Sequence, residues 1–206
     1  MNQMSKALER TQEIYELYAK DYDIQRDKSL FEKKYLDIFL NELKRSPKVL
    51  DLGCGTGEPI GRYLEQRDAI LYGADYSHAM LEIFRSRFPS AESFFVDMRN
   101  LRLSKKFDGI ISWGAFFHLT IVQQRKVLPV LCDSLNEGGV LLLTIGDREG
   151  EVLGQVAGQS VYHASLSPLN YSQIISENGM SLLLLETNLK DCKGHSILLA
   201  KKNQNK

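Results

Sequence analysis

The sequence carries no surplus of charge of either sign. Its 206 residues contain 26 lysines and arginines and 26 aspartates and glutamates, so the formal net charge is zero. Proteins that hold nucleic acid mainly through its phosphates usually carry a basic surplus. The balance of charges therefore disfavours DNA or RNA as the partner and favours a small molecule.

Cysteines and long apolar runs are scarce as well. The three cysteines, Cys54, Cys132 and Cys192, are odd in number and widely spaced. This pattern indicates neither a disulfide framework nor a metal site, and it is typical of reduced thiols in a cytoplasm. No run approaches the roughly 20 apolar residues that cross a bilayer, and the polar N-terminal segment lacks the apolar core of a signal peptide. We expect a cytoplasmic protein that is a monomer or a homodimer and has no membrane segment.

What the sequence does contain, after residue 46, is a regular alternation of short apolar runs with longer amphipathic segments. This alternation predicts a parallel sheet covered by helices on both faces. The link between the last two apolar runs is too short for a parallel crossover, so one final strand should be antiparallel. Residues 5–45 are predicted to be helical with a break at 21–27, and residues 146–160 to form a loop or small excursion. The predicted strands are 48–52, 69–74, 93–96, 107–112, 139–145, 180–187 and 194–201.

A glycine-rich turn follows the first predicted strand. Gly53, Gly55 and Gly57 stand where the strand would lead into a helix, and such a turn lets a ligand lie against the backbone. Taken alone, it could also be a plain strand-to-helix turn. Carboxylates at the ends of three successive strands raise the odds of a nucleoside site: an acidic group there can accept hydrogen bonds from ribose hydroxyls or an adenine amine. These carboxylates are Asp51, Asp75 and Asp97.

Two other kinds of nucleotide site fit less well. A dinucleotide fold wants a third glycine in Gly-x-Gly-x-x-Gly, and Glu58 occupies that position, where it would repel a pyrophosphate. A phosphate-binding P-loop needs a Gly-Lys-Ser/Thr sequence after its glycines, which is absent. The pattern therefore indicates a nucleoside without a pyrophosphate.

Five segments in sequence order resemble class I S-adenosylmethionine-dependent methyltransferases, in particular the small-molecule type. They are Val49 to Gly57, Tyr72 to Leu81, Phe95 to Met98, Phe107 to Ser112 and Asn136 to Gly139. The resemblance implies an α/β fold with a doubly wound, mostly parallel seven-stranded sheet of order 3-2-1-4-5-7-6, strand seven antiparallel, helices on both faces and an N-terminal helical extension. It also implies one domain over 1–206, with a helical lid at 1–45, a cofactor-binding core at 46–146 and a substrate-side lid with the final strands at 147–206.

The cofactor implied by the resemblance is S-adenosylmethionine, with S-adenosylhomocysteine as product. Tyr18 and Tyr22 resemble a family feature near the sulfonium, although helix packing is an equal alternative for Tyr18. Trp113, the only tryptophan, could contact the methionine part or be buried in the core. The candidate cofactor-binding residues are Asp51, Gly53, Cys54, Gly55, Gly57, Asp75, Tyr76, Asp97, Met98, Trp113, Tyr18 and Tyr22.

Methyl transfer from a sulfonium is an in-line displacement, so the protein mainly aligns the nucleophile and excludes water. A general base is needed only where the nucleophile must lose a proton. His118, Tyr162 and His163 are the candidate catalytic residues, with helix capping or loop packing as alternatives for them. The leading hypothesis is methylation of a small molecule. The others are methylation of a protein or RNA, and a non-catalytic protein that binds the cofactor.

Overall fold

The sheet of the computed structural model, which describes residues 2–204, has seven strands, and a separate hairpin has two. The sheet order is β3-β2-β1-β4-β5-β9-β8, and β6 pairs only with β7. Four of the connections between strands contain an α-helix. The strands are β1 Lys48–Leu52, β2 Ile70–Asp75, β3 Glu92–Phe95, β4 Phe107–Ser112, β5 Leu135–Ile145, β6 Gly150–Val156, β7 Gln159–Ser165, β8 Met180–Leu189 and β9 His195–Lys202. The helices are α1 Gln3–Leu17, α2 Ala19–Gln25, α3 Lys33–Asn41, α4 Ile60–Gln66, α5 His78–Arg87, α6 Ile121–Asp133 and α7 Pro168–Glu177.

The topology predicted for the sheet is confirmed. The first five strands run parallel, and β9 lies antiparallel between β5 and β8. The predicted order 3-2-1-4-5-7-6 is the observed order once the hairpin β6–β7 is set aside, because the last two strands of the sheet are β8 and β9. The predicted domain range 1–206 includes Met1, Asn205 and Lys206, which lie outside the described residues, and its division into lids and core remains a prediction.

Strand β1 is an interior strand of the sheet, and its side chains pack into two hydrophobic cores. Leu50 packs into the apolar cluster that includes α6 and α7, while Val49 packs into the opposite cluster with α3, α4 and α5. Successive side chains of a strand point to opposite faces, so both faces of this strand are buried. The strand order reverses between β1 and β4. Open α/β sheets bind ligands at such a point, outside the carboxyl ends of the strands.

The segment 146–160 differs from the prediction, because most of it is strand rather than loop. Strands β6 and β7 pair from Gly150 opposite Ser165 to Val156 opposite Gln159. The two linking residues, Ala157 and Gly158, both have positive φ, as the tight turns of hairpins require. Alanine is uncommon at such a position, so the usual Asn-Gly signal was missing from the sequence.

The predicted break at 21–27 is also wrong, because α2 continues to Gln25. The chain bends earlier, at Tyr18 between α1 and α2, and leaves the helix only at Arg26. A helix of seven residues has little stability of its own. Its side chains instead contact the glycine loop, as described below.

Candidate functional site

A cavity of about 370 Å³ opens at the carboxyl ends of β1, β2, β3 and β4. Its floor is the turn after β1, its sides are the segments after the next three strands, and α1 and α2 form its roof. The sequence-predicted residues among its lining are Gly53, Gly55, Asp75, Tyr76, Asp97, Met98, Trp113, Tyr22 and His118. The structure therefore brings together residues that are up to 96 positions apart in the chain, from Tyr22 to His118.

The glycine turn is held tightly against the neighbouring strands. The backbone N–H groups of Gly53 and Cys54 donate to the carbonyl of Ala74 at 2.7 and 3.0 Å. Gly53 has a φ of 79°, and a Cβ added there would overlap the Cβ of Ala115 in the segment after β4. Only glycine lets these two backbone segments approach so closely.

Asp75 links the glycine turn to the next helix. Its carboxylate accepts from the backbone N–H of Gly55 at 2.8 Å and from that of Ser77 at 3.0 Å. Burial raises the pKa of Asp75 to about 6, against the opposing effect of these hydrogen bonds. Burial, with the nearby charge of Asp75, also raises the pKa of Asp51 to about 7. Of these two carboxyls, Asp75 lines the cavity, and a carboxyl with a raised pKa in such a crevice is typical of a binding site for a polar or cationic ligand.

The affinity for a nucleoside ligand should therefore rise with pH. An ionised carboxylate accepts ribose hydroxyls more strongly than a protonated one, so binding should lower the pKa of Asp75 and release a proton. Because that pKa starts at about 6, we expect the affinity for S-adenosylhomocysteine to increase roughly tenfold between about pH 5 and about pH 7. Titration calorimetry across this range measures it. The Asp75→Asn variant should bind weakly with a flat profile, and an unchanged slope in that variant would contradict the assignment.

The segment after β3 forms the side of the cavity next to Asp75. Asp97 begins a short 3-10 turn, Met98–Asn100, and its carboxylate accepts from the backbone N–H of Arg99 at 2.9 Å. The guanidinium of Arg99 also pairs with it at 2.8 Å and lies over the ring of Tyr76, 5.3 Å from its centroid. These contacts orient both side chains at the mouth of the cavity.

The N-terminal helices form the roof through specific contacts. Gln12 on α1 donates to the backbone carbonyl of Tyr76 at 3.1 Å. Tyr22 on α2 lies beside Gly55, where an added Cβ would be 3.6 Å from its ring. Asp23, the next residue, accepts from the hydroxyl of Thr56 and from Arg87, each at 2.6 Å. The roof is thus attached to the glycine turn and to the end of α5.

His118 lies under α1, in a short 3-10 turn after β4. Its Nε2 is 2.9 Å from the hydroxyl of Tyr15, and its Nδ1 is 2.8 Å from the backbone oxygen of Tyr162. Burial, together with the charge that His163 can carry, lowers the pKa of His118 to about 3. His118 is therefore neutral at physiological pH.

Several predicted site residues lie outside the cavity lining. Cys54 and Gly57 face the core behind the turn, where a Cβ on Gly57 would meet the rings of Phe84 and Phe88. The described lining does not include Tyr18, Asp51, Tyr162 or His163. Tyr162 is buried, and its hydroxyl donates to Glu151 at 2.7 Å. His163 packs against Phe117 and His118, with ring centroids 4.4 and 4.9 Å away.

The wall that α1 contributes to the cavity was not predicted from the sequence. Tyr15 stands one helical turn before Tyr18, and it is Tyr15 that lines the cavity with Leu8 and Thr11. These residues lie three to four positions apart, which is the spacing of one helix face. In a polar helix, however, this spacing does not distinguish a face that lines a cavity from a face exposed to solvent. Trp113 is both buried and part of the lining, so its burial is confirmed, while its contact with the methionine part stays a prediction.

The described residues contain no group of His, Cys, Asp and Glu side chains arranged to hold a metal ion. In the same part of the chain, no helix has the length and apolar character needed to cross a membrane.

Comparisons with known proteins agree with this geometry. Residues 49–139 match the family model described as a methyltransferase domain. An uncharacterized methyltransferase of Alkaliphilus oremlandii is 28% identical over 100 residues, which are 48% of this chain and 46% of that protein. The probable tRNA methyltransferase 9B of Homo sapiens is 33% identical over 114 residues, 54% of this chain and 24% of that protein. The chain matches less than half the length of both relatives.

Among solved structures, the 1,6-didemethyltoxoflavin-N1-methyltransferase of Burkholderia thailandensis superposes with a TM-score of 0.73 at 14% identity, covering 99% of this chain and 92% of that one. The sheet order and the antiparallel β9 define the fold of class I S-adenosylmethionine-dependent methyltransferases. The chain has this fold, and its residues 49–139 match the family model of the methyltransferase domain.

Proposed function

We propose that this chain is an S-adenosylmethionine-dependent methyltransferase whose acceptor is a small molecule. The observation that carries the proposal is the roofed cavity, in which glycine backbone, three carboxylates and aromatic side chains line one space of about 370 Å³. A roofed, aromatic-lined cavity suits a nucleoside together with a small acceptor.

The lining fits the cofactor. Asp75 would accept the ribose hydroxyls, Asp97 and Met98 would face the adenine, and Gly53 and Gly55 would face the methionine part. Bound S-adenosylmethionine supplies a methyl carbon that is already activated by the sulfonium. The protein then has to orient the acceptor and exclude water, which Tyr15, Tyr22 and His118 can do from the roof and far wall.

The acceptor class is supported by two further points. The solved relative from Burkholderia thailandensis was crystallised with its small-molecule substrate and S-adenosylhomocysteine, and it covers nearly the whole chain. The sequence also has no net charge that would attract a polyanion. A second candidate function is methylation of tRNA. It is supported by the name of the human relative, which is similar to this chain over 114 residues.

Titration calorimetry with S-adenosylmethionine tests the cofactor part. We expect binding by the unaltered chain and an affinity roughly 10- to 100-fold lower for Asp75→Ala, because charge-assisted hydrogen bonds to the ribose are lost. Asp133→Ala is the matched control. Asp133 is an exposed aspartate at the end of α6, which leads into the amino end of β5, so it lies at the end of the strands opposite the cavity. No binding by the unaltered chain, or equal binding by Asp75→Ala, would refute the proposal.

Transfer of a labelled methyl group distinguishes the acceptors. The chain is incubated with methyl-labelled cofactor and either a small-metabolite extract or bulk tRNA. We expect label in the metabolite fraction and none in tRNA. Label in tRNA alone would establish the second candidate, and label in neither fraction, with intact cofactor binding, would favour a non-catalytic binding protein.

A further inference from the structure

The hydrogen bonds of His118 determine where its proton lies. Its Nδ1 faces the backbone oxygen of Tyr162 at 2.8 Å, and a carbonyl oxygen can only accept. Nδ1 therefore carries a hydrogen. Since the buried ring is neutral, Nε2 has none, and it accepts from the hydroxyl of Tyr15 at 2.9 Å.

The hydrogen bond to His118 also determines where the hydroxyl hydrogen of Tyr15 points. A tyrosine hydroxyl has one hydrogen, and here it points to His118. Burial raises the pKa of Tyr15, so the hydroxyl stays protonated. Within residues 2–204, no other hydrogen bond to this hydroxyl is formed. Its oxygen therefore offers only lone pairs to whatever occupies the cavity.

Two further side chains of α1 also present hydrogen-bond acceptors. Thr11, one turn before Tyr15 on α1, donates its hydroxyl hydrogen to the backbone oxygen of Ala7 at 2.7 Å and accepts from the backbone N–H of Tyr162 at 3.2 Å. The carboxylate of Glu9 on the same helix can only accept while ionised. Leu8 and Leu119 are the apolar neighbours in this part of the lining. A ligand that contacts these side chains thus meets hydrogen-bond acceptors next to an apolar surface.

The wall and the carboxylates assigned to the nucleoside belong to different elements of the fold. Asp75 ends β2 and Asp97 follows β3, whereas His118 follows β4 and stands under α1. The Tyr15 and His118 rings are in edge contact, with centroids 5.3 Å apart, so the pair forms one continuous surface.

We propose that the Tyr15 hydroxyl oxygen is a fixed hydrogen-bond acceptor that selects a methyl acceptor bearing an O–H or N–H group, which rests on the proposed methyltransferase function. His118 is a positioning residue: held by Tyr162, it keeps the hydrogen of Tyr15 turned away from the ligand. The substrate class is then a hydroxyl or amine compound with an apolar body, and molecules whose group at this point is a carbonyl or an ether bind more weakly.

Nuclear magnetic resonance of the ligand-free chain with ¹⁵N-labelled histidine tests the polarity independently of any activity. We expect His118 to be neutral near pH 7, with hydrogen on Nδ1 and none on Nε2. In Tyr15→Phe the Nε2 signal should shift, because its donor is lost, while Tyr63→Phe on α4 should leave it unchanged. Hydrogen on Nε2 in the unaltered chain, or a signal that Tyr15→Phe does not move, would overturn the proposal even if the chain transfers methyl groups.

Binding of paired probes tests the selection. Phenol and benzyl alcohol are compared with their methyl ethers on the chain saturated with S-adenosylhomocysteine. We expect the hydroxyl compounds to bind about 5-fold more tightly, the net effect of one hydrogen bond, and the preference to vanish in Tyr15→Phe but not in Tyr63→Phe. Equal binding of the ethers, no binding of any probe, or a preference that survives in Tyr15→Phe would overturn the selection. Failure of S-adenosylhomocysteine to bind would instead contradict the proposed function.

Discussion

Replacing Gly53 by alanine is expected to lower the affinity for S-adenosylhomocysteine more than about 100-fold. The new Cβ would overlap the Cβ of Ala115, and both residues line the cavity. A positive φ costs an alanine about 1–2 kcal/mol, and overpacking of this kind costs about 1–3 kcal/mol more. The turn can relieve the overlap only by moving away from β4, which also displaces Gly55 from Asp75. Titration calorimetry measures the affinity, and thermal unfolding measures the stability.

Gly179→Ala separates the two contributions. Gly179 follows α7 with a φ of 69°, and an added Cβ there would meet no atom within 4 Å. This control carries the cost of the positive φ without an overlap, so it should lose about 1 kcal/mol of stability and keep its affinity. If Gly53→Ala bound as tightly as the unaltered chain, the floor of the cavity would not be where the ligand lies.

The fold could be predicted from the sequence because its strands are short, buried and separated by strong turn signals. Strand β4 shows this: all six residues from Phe107 to Ser112 are buried, and the strand has the bounds that its apolar run predicted. The hairpin β6–β7 could not be predicted in the same way. Val152 and Glu151 are exposed, so the strand lacks the clear alternation of a half-buried one, and its partner surface is α1, far away in the sequence.

In the candidate site, too, residues marked by a local sequence feature could be predicted and residues that depend on distant contacts could not. Asp75 and Asp97 were found because a strand end is a local feature that the sequence marks. Tyr15 was missed because its importance comes from contact with His118, 103 residues away. Tyr18 was singled out instead, on a short resemblance, and the helix turns it away from the cavity. Helical spacing alone does not say which face of a polar helix a distant loop will cover.

Replacing Asp23 by alanine should destabilise the chain by about 2–3 kcal/mol and weaken cofactor binding together with it. The carboxylate of Asp23 pairs with Arg87 through both oxygens, at 2.6 Å each, and accepts from the hydroxyl of Thr56. Only 14% of its side chain is exposed, against 24% for Arg87, so its loss leaves a half-buried cation without its partner. Because Asp23 follows Tyr22, the roof over Gly55 should loosen as well. Denaturant unfolding and titration calorimetry measure the two effects.

The pH dependence of the difference in stability between the unaltered chain and Asp23→Ala tests whether the charge of Asp23 causes it. The hydrogen bonds from Arg87 hold the pKa of Asp23 well below its usual range. A carboxyl with a lowered pKa in the folded state adds stability above its unfolded pKa of about 3.9, and this contribution is lost as the pH falls toward the folded value. The gap between the unaltered chain and Asp23→Ala should therefore be full near neutrality and shrink below about pH 4. Asp21→Ala, an exposed aspartate on the same helix, controls for helix propensity and should match the unaltered chain at every pH. A gap that is the same at all pH values would mean that Asp23 acts through packing and not through its charge.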